Sequence, residues 1–262
     1  MPEANSPRGT RSDRLAAILE FVSTEPRSID AIAEAMGVSM MTVYRDVATL
    51  EGRGTVHRHR GVVTPAPTRM FEATVTHRMD VNSERKAALA SAALSLVSPG
   101  QSVILDDSTT GIYFARLLDD LTPMTVITNS LAVARELHEM SDITLLLTGG
   151  QYLPWAEALA GPVTINTLAG LRADVAIMSV SAIANDTCYH PNAQLGEVKK
   201  AMLAAANRSV LYVDATKFDR TALYAFAPVS GFDTIVVEQD TEAAQLEHLR
   251  SLGIDVVVAP AP

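Results

Sequence analysis

SIDAIAEAMGVSMMTVYRDVATLEGR, residues 28–53, decides how the first part of this chain folds. Ile29, Ile32, Ala33 and Met36 recur at i, i+3, i+4 and i+7, the apolar stripe of a short helix, with Ser28 placed to cap its start and Gly37 to end it. Val38 occupies the turn, Ser39 is placed to cap a second helix, and Val43, Val47 and Leu50 give that helix a single apolar face. Two short amphipathic helices joined by so tight a turn make a helix-turn-helix, whose second helix enters the major groove of DNA. The side chains away from the stripe then meet the duplex: Thr42, Tyr44, Arg45 and Thr49, with Ser39 at the helix start and Arg53 at its end.

Upstream, Leu15, Ile18, Leu19 and Val22 repeat the same stripe and Pro26 closes it, which adds a third helix. Downstream, Gly54 marks a turn, and residues 55–63 carry His57, Arg58, His59 and Arg60 beside Gly61, the pattern of a basic hairpin. Such a wing lies along the sugar-phosphate backbone, which brings Arg58 and Arg60 into the DNA-contacting set. A small helical bundle that binds a protein or dimerises is the plainer alternative for residues 1–63. Three helices, a turn of the right length, an arginine-bearing face and a basic hairpin in this order favour the winged helix-turn-helix. Residues 1–11 contain two prolines and no apolar period and are expected to form a disordered tail, leaving 12–63 as the DNA-binding domain.

The net charge of −9 argues against a nucleic-acid partner only until it is divided along the chain. The first 70 residues hold nine Arg against eight Asp or Glu, a balance of +1, so the remainder carries −10. The basic surface is local to the proposed reading head and the acidity belongs elsewhere. Among 262 residues the longest apolar runs fall far short of the roughly 20 needed to cross a bilayer, so no membrane association is expected. The N-terminal stretch has no apolar export core, and a single cysteine, Cys188, excludes an internal disulfide; both fit the cytoplasm.

Residues 64–81, with Pro65, Pro67 and several threonines, read as an extended linker, after which helix and strand patterns alternate over 82–262. Short apolar strands fall near 103–105, 125–128, 144–147, 175–180, 210–213, 234–237 and 255–258, with helices between several of them. This predicts an α/β body with a mostly parallel, Rossmann-like sheet, in which ligands bind beyond the carboxyl ends of the strands. Small polar residues gather at those ends: Asp106, Asp107, Ser108, Thr109 and Thr110; then Thr128, Asn129 and Ser130; then Gly149 and Gly150; and later Asp214 and Lys217. Any one cluster is ordinary turn and cap chemistry, but hydroxyls and amides converging on one rim suit a phosphate. Glu197, Lys199 and Lys200 fit a solvated helix face as well as a ligand contact. Cys188 and His190 lack metal-ligand spacing with other Cys or His residues, so neither a metal nor a cofactor is expected.

VSMMTVYRDVATLEGRG, ILDDSTTG, VITNS, LLLTGG, EVKKAM and DATKF occur in this order over nearly the whole chain, which resembles the bacterial DeoR-type transcriptional regulators. Tyr44 stands where that family commonly has the first arginine of an Arg-Arg-Asp triplet, Ser108 stands where its loop usually has glycine, and His59-Arg60-Gly61-Val62 replaces its usual wing. The resemblance implies a winged helix-turn-helix joined to a sensor domain related in fold to sugar-phosphate isomerases, and it draws Lys199 into the effector-binding set. It implies a repressor of carbohydrate metabolism genes that binds a double-stranded operator as a homo-oligomer, dimer or tetramer, and answers to a small phosphorylated sugar or related metabolite. The rival from another class is an isomerase-like enzyme carrying a nucleic-acid module, with Asp106, Asp107, Glu197 and Lys217 as its acids and bases.

Overall fold

The computed structural model describes residues 11–23, 25–52, 55–65, 72–218 and 220–261. The chain divides into two compact units, Met1–Thr74 and Val75–Pro262. In the first, α1 (Arg11–Ser23), β1 (Arg27–Ser28), α2 (Ile29–Met36) and α3 (Met40–Gly52) precede a hairpin of β2 (Val56–His59) and β3 (Val62–Pro65). Ser28 caps α2 by accepting the Ala31 amide at 3.1 Å, and Gly37 ends it at φ 62. The expected stripes meet in one core, where Leu15, Ile18 and Val22 pack with Ile29, Ile32, Val43, Val47, Leu50, Val56 and Val63. The hairpin turn places Arg60 and Gly61 at φ 47 and 80, the twin positive values of a tight two-residue turn.

Two boundaries differ from the sequence reading. Arg11, expected in the tail, starts α1 because its guanidinium is tied to Asp46 and Thr49; the rest of that tail lies outside the described residues. The extended linker expected over 64–81 is interrupted at both ends, since β3 runs to Pro65 and α4 (Val75–Asp80) is helical. Six residues are too few to display a period, and α4 is held from outside by contacts the sequence does not announce. The Val75 amide donates to the Trp155 carbonyl at 3.1 Å, and Lys86 donates to the carbonyls of Arg78 and Val81.

The second unit continues with α5 (Ser83–Leu94), β4 (Ser102–Leu105), α6 (Thr109–Ala115), β5 (Met124–Thr128), α7 (Leu131–Leu137) and β6 (Ile143–Leu147). A hairpin of β7 (Gln151–Leu153) and β8 (Ala158–Ala160) leads to α8 (Pro162–Ala169), β9 (Ala173–Ser179), β10 (Ala182–Ala184) and β11 (Thr187–His190). The chain then runs through α9 (Ala193–Ala204), β12 (Ala206–Val213), β13 (Tyr224–Pro228), β14 (Thr234–Val237), α10 (Ala243–Ser251) and β15 (Asp255–Val258). Seven strands form one sheet in the order β15-β14-β12-β9-β4-β5-β6, every neighbouring pair parallel. Alternate side chains divide between two cores: Val103, Leu105, Ile177 and Val210 pack with Leu89, Phe114 and Val133, while Ile104, Met178, Leu211 and Ile235 pack with Leu168, Leu195 and Leu249. Both faces are covered along the central strands, which is why those read as continuous apolar runs, while Leu146, Leu147 and Val258 on the edge strands β6 and β15 are exposed.

Among the described residues of the second unit, the antiparallel strand pairs are the β7–β8 hairpin and a small sheet ordered β10-β11-β13, with an isolated antiparallel bridge between Ser130 and Ala158. These short strands and α8 are additions to the elements expected from sequence. In the large sheet the chain builds outward from β4 through β5 and β6, then crosses back to β9 on the other side of β4 and continues outward again. The topological switch therefore lies between the carboxyl ends of β4 and β9, where an open sheet has a crevice.

Candidate nucleic-acid interface and effector site

In the reading head, Ser39 accepts the Thr42 amide through Oγ at 3.3 Å and shares a hydroxyl contact with Thr42 Oγ1 at 3.0 Å, so both expected DNA contacts also shape the start of α3. Arg45 is exposed and has no side-chain partner among the described residues, as a base- or phosphate-seeking guanidinium requires. Thr49 is engaged within the domain: its hydroxyl donates to the Arg45 carbonyl at 2.9 Å and receives Arg11 Nη2 at 2.8 Å. Tyr44 lies under the Arg58 guanidinium, 5.1 Å from its carbon to the ring centroid, and Glu51 accepts the Arg58 amide at 2.9 Å, which fastens β2 to α3. Arg60 is exposed at the hairpin tip, and Arg53 lies outside the described residues.

Sequence reasoning missed Met40 and Met41, which are exposed at the start of α3, and Asp46, which is buried. Asp46 accepts Arg14 Nε at 2.6 Å and Arg11 Nε at 3.2 Å. Burial alone would push its carboxyl up, but the two guanidiniums outweigh it and hold the pKa below the usual carboxylate value. The signal was present, because Asp46 sits with Val43, Val47 and Leu50 on the inward stripe of α3.

In the second unit the expected residues occupy the carboxyl-end rim of the large sheet. At the switch point Asp106 is fully buried, its Oδ2 receiving Lys199 Nζ and the Ser179 amide at 2.7 Å, its Oδ1 receiving the Ser108 amide at 3.1 Å. Lys199, reaching in from α9, also donates to the Ser179 carbonyl at 3.1 Å and lies 3.9 Å from Asp107 Oδ1, so it joins the ends of β4 and β9. Burial would raise the Asp106 pKa, but the Lys199 charge and the bonds from Lys199, Ser108 and Ser179 hold it lowered. Of the two lysines left open by sequence, Lys199 is the interior one, while Lys200 pairs with Glu197 on the surface at 2.6 Å.

Ser108 caps α6 by accepting the Gly111 amide at 2.9 Å, which sets Thr109 and Thr110 in the first turn, where amides have no partner inside the helix. Ser130 caps α7 through the Val133 amide at 3.2 Å, and Thr128 Oγ1 accepts the Ser130 amide at 3.0 Å. Asn129 donates to the Leu159 carbonyl at 2.9 Å while its buried Oδ1 has no partner among the described residues. The Gly149 carbonyl accepts Thr164 Oγ1 at 2.7 Å, and Gly150, at φ 124, has no room for a side chain, since a Cβ would lie 2.7 Å from the Ala160 carbonyl oxygen. Those glycines are accounted for by packing against α8. Asp214 accepts the Thr216 amide at 3.1 Å and pairs with Lys217 at 3.5 Å. Cys188 is buried in the core, which pushes its thiol up to about 12. Among the described residues no group of His, Cys, Asp or Glu is arranged to hold a metal ion, and no helix is long and apolar enough to cross a membrane.

A winged helix-turn-helix followed by a doubly wound α/β unit with a cap-rich rim is the build of a DNA-binding transcriptional regulator. A family model described as the DeoR C terminal sensor domain matches residues 81–239, and one described as an HTH domain matches residues 14–62. The chain belongs to the DeoR family of transcriptional regulators. The putative aga operon transcriptional repressor of Escherichia coli O157:H7 is 30% identical over 95% of this chain and 94% of its own length. An L-fucose operon activator of Haemophilus influenzae is 31% identical over 83% of this chain and 88% of its own. The ribose 5-phosphate isomerase A of Methanocaldococcus jannaschii aligns over 52% of this chain and 55% of its own, at 20% identity and a TM-score of 0.39, too distant a likeness to speak to activity.

Proposed function

We propose that this regulator is a repressor of carbohydrate metabolism genes whose hold on its operator is set by a small phosphorylated sugar or related metabolite. The observation that carries this reading is the switch-point rim, where Asp106 and Lys199 lock the ends of β4 and β9 together beside the capped starts of α6 and α7. A phosphate suits the first turn of α6, with amides and the hydroxyls of Ser108, Thr109 and Thr110, while Thr128, Asn129, Ser130 and Lys217 supply further donors and charge. The names of the two relatives, a putative repressor of the aga operon and an activator of the L-fucose operon, support regulation of an operon, and the second, which names a sugar, supports the effector class.

On this reading residues 12–63 read DNA, with Arg45 as principal contact and Arg53, Arg58 and Arg60 on the phosphates. Residues 82–262 sense the metabolite. The active form is a homo-oligomer, dimer or tetramer, that presents paired reading helices to repeated half-sites in the cytoplasm. On this reading it is a sensor and not an enzyme, which is supported by the Asp106–Lys199 pair, whose charges neutralise each other inside the protein. The test is titration of the full chain with a panel of sugar phosphates while it sits on the DNA upstream of its own gene, read by fluorescence anisotropy. One of them is expected to weaken operator binding about tenfold or more, and Thr109→Ala to blunt that response. A panel that binds neither protein nor complex, or turnover of a pentose or hexose phosphate, would count against it.

A further inference from the structure

The start of α3 leaves two large apolar side chains in the open. Met40 and Met41 are 47% and 63% exposed, although Val43, Val47 and Leu50 of the same helix are buried. Single exposed apolar residues need no explanation, but two in succession on the second helix of a helix-turn-helix do. The helix period sets where they stand. Met41, Arg45 and Ala48 fall at i, i+4 and i+7 and all three are exposed, so they form the line opposite the buried stripe of Val43, Asp46, Val47 and Leu50. Met40 stands one turn before Tyr44, the residue whose ring lies under Arg58 of the hairpin. The polar groups of the first turn are engaged with each other, since Ser39 Oγ accepts the Thr42 amide at 3.3 Å and meets Thr42 Oγ1 at 3.0 Å. Ahead of Arg45, what α3 offers a groove is therefore mainly thioether and methyl surface.

We propose that Met41 is a specificity-determining residue that packs on the C5-methyl of a thymine in the major groove. The proposal rests on the reading of α3 as the helix that enters the groove, with Arg45 as principal contact, and it names a base which that helix reads. The choice of thymine follows from the chemistry of the groove. Guanine presents two acceptors there, adenine an acceptor and an amine, cytosine an amine, and thymine alone a methyl group beside its acceptor. Methionine over a polar edge would strip its water and return only a weak sulfur acceptor, whereas over the methyl two apolar surfaces leave water together. Its unbranched, polarizable side chain adapts to the small target. Continuity with Arg45 fixes the place: four residues of helix advance about 6 Å and one base pair about 3.4 Å, so the thymine lies within about two base pairs of the one that Arg45 meets.

Duplexes selected from a random pool by the full chain supply the probe. In the best-bound one each thymine of a half-site is replaced singly by deoxyuridine, which removes only the C5-methyl. Affinities are read by fluorescence anisotropy at fixed salt for wild type, Met40→Ala, Met41→Ala and Met41→Leu, with thermal unfolding to show that the variants are intact. Wild type is expected to lose about fourfold at one thymine, the worth of one buried methyl-sized group. Met41→Ala should bind the thymine duplex more weakly by about the same factor and be indifferent to the methyl, while Met41→Leu and Met40→Ala keep most of the methyl effect. Wild-type binding that no thymine methyl alters overturns the proposal, a result independent of how the variants fold. A methyl effect of undiminished size in Met41→Ala overturns it too. So does a change in the mass of the assembly in Met41→Ala with the methyl effect intact, which would mean that a second copy of the chain covers this face. A selected duplex that depends on Arg45 but on no thymine methyl would sink this contact and leave the functional reading standing; a pool without any enriched sequence would sink the functional reading and the contact with it.

Discussion

Arg60 sits at φ 47 in the hairpin turn, a left-handed position that costs a residue with a side chain roughly 1 to 2 kcal/mol, while glycine there sacrifices about 0.5 to 1 in chain entropy. Arg60→Gly is therefore expected to stabilise the first unit by roughly 0.5 to 1 kcal/mol in urea unfolding. If Arg60 contacts a phosphate, the same change lowers operator affinity and reduces the salt slope by about 1. Higher stability with unaltered DNA binding would remove Arg60 from the interface. Asp46 is the opposite case, a residue spent on architecture. Asp46→Asn should cost about 1 to 3 kcal/mol, because Arg14 and Arg11 lose a charged acceptor. The pH dependence follows from the lowered pKa of Asp46: its contribution is complete above the ordinary value of 3.8 and disappears as pH falls through the lower folded value. Unfolding curves that lose stability in the same way over that window in wild type and Asp46→Asn would contradict this role.

Helices α3, α5 and α9 each carry one charged residue in the stripe that faces inward: Asp46 with Val43, Val47 and Leu50; Lys86 with Leu89, Ala90 and Ala93; Lys199 with Leu195, Val198 and Met202. All three share the i, i+3, i+4, i+7 spacing of their apolar neighbours, so their burial was legible from period alone. Their partners were not, since Arg14, the Arg78 carbonyl and Asp106 come from other elements. For the Asp106–Lys199 pair a double-mutant cycle is decisive. Lys199→Met should cost about 3 to 5 kcal/mol by stranding a buried carboxylate, and adding Asp106→Leu should recover part of that loss. Strictly additive losses would mean that the two side chains act independently. The elements missing from the sequence reading share a different cause. β11 pairs with β13 across some forty residues, Thr187 opposite Pro228, and α8 buries only Thr164 and Leu168 of its eight residues, so neither displays a local pattern.

At the scale of the whole molecule, the charge asymmetry and the change from three striped helices to alternating strands were readable without coordinates, and so was the two-part organisation. The rim residues were legible as a set because parallel strands all end on one side of the sheet, which converts sequence position after a strand into position in space. Which of them hold the fold and which remain open to a ligand was not, because that depends on close approaches such as Gly150 against Ala160. The central claim is that the arginine-bearing first unit reads a duplex. Its most direct test is fluorescence anisotropy of the full chain on the fragment upstream of its own gene and on a scrambled duplex, with wild type and Arg45→Ala, across a salt series. The account predicts tighter binding to the native fragment, affinity that falls steeply with salt, and a loss of about 1 to 3 kcal/mol in Arg45→Ala on the native fragment alone. Equal affinity for both duplexes, unchanged by Arg45→Ala, would contradict it.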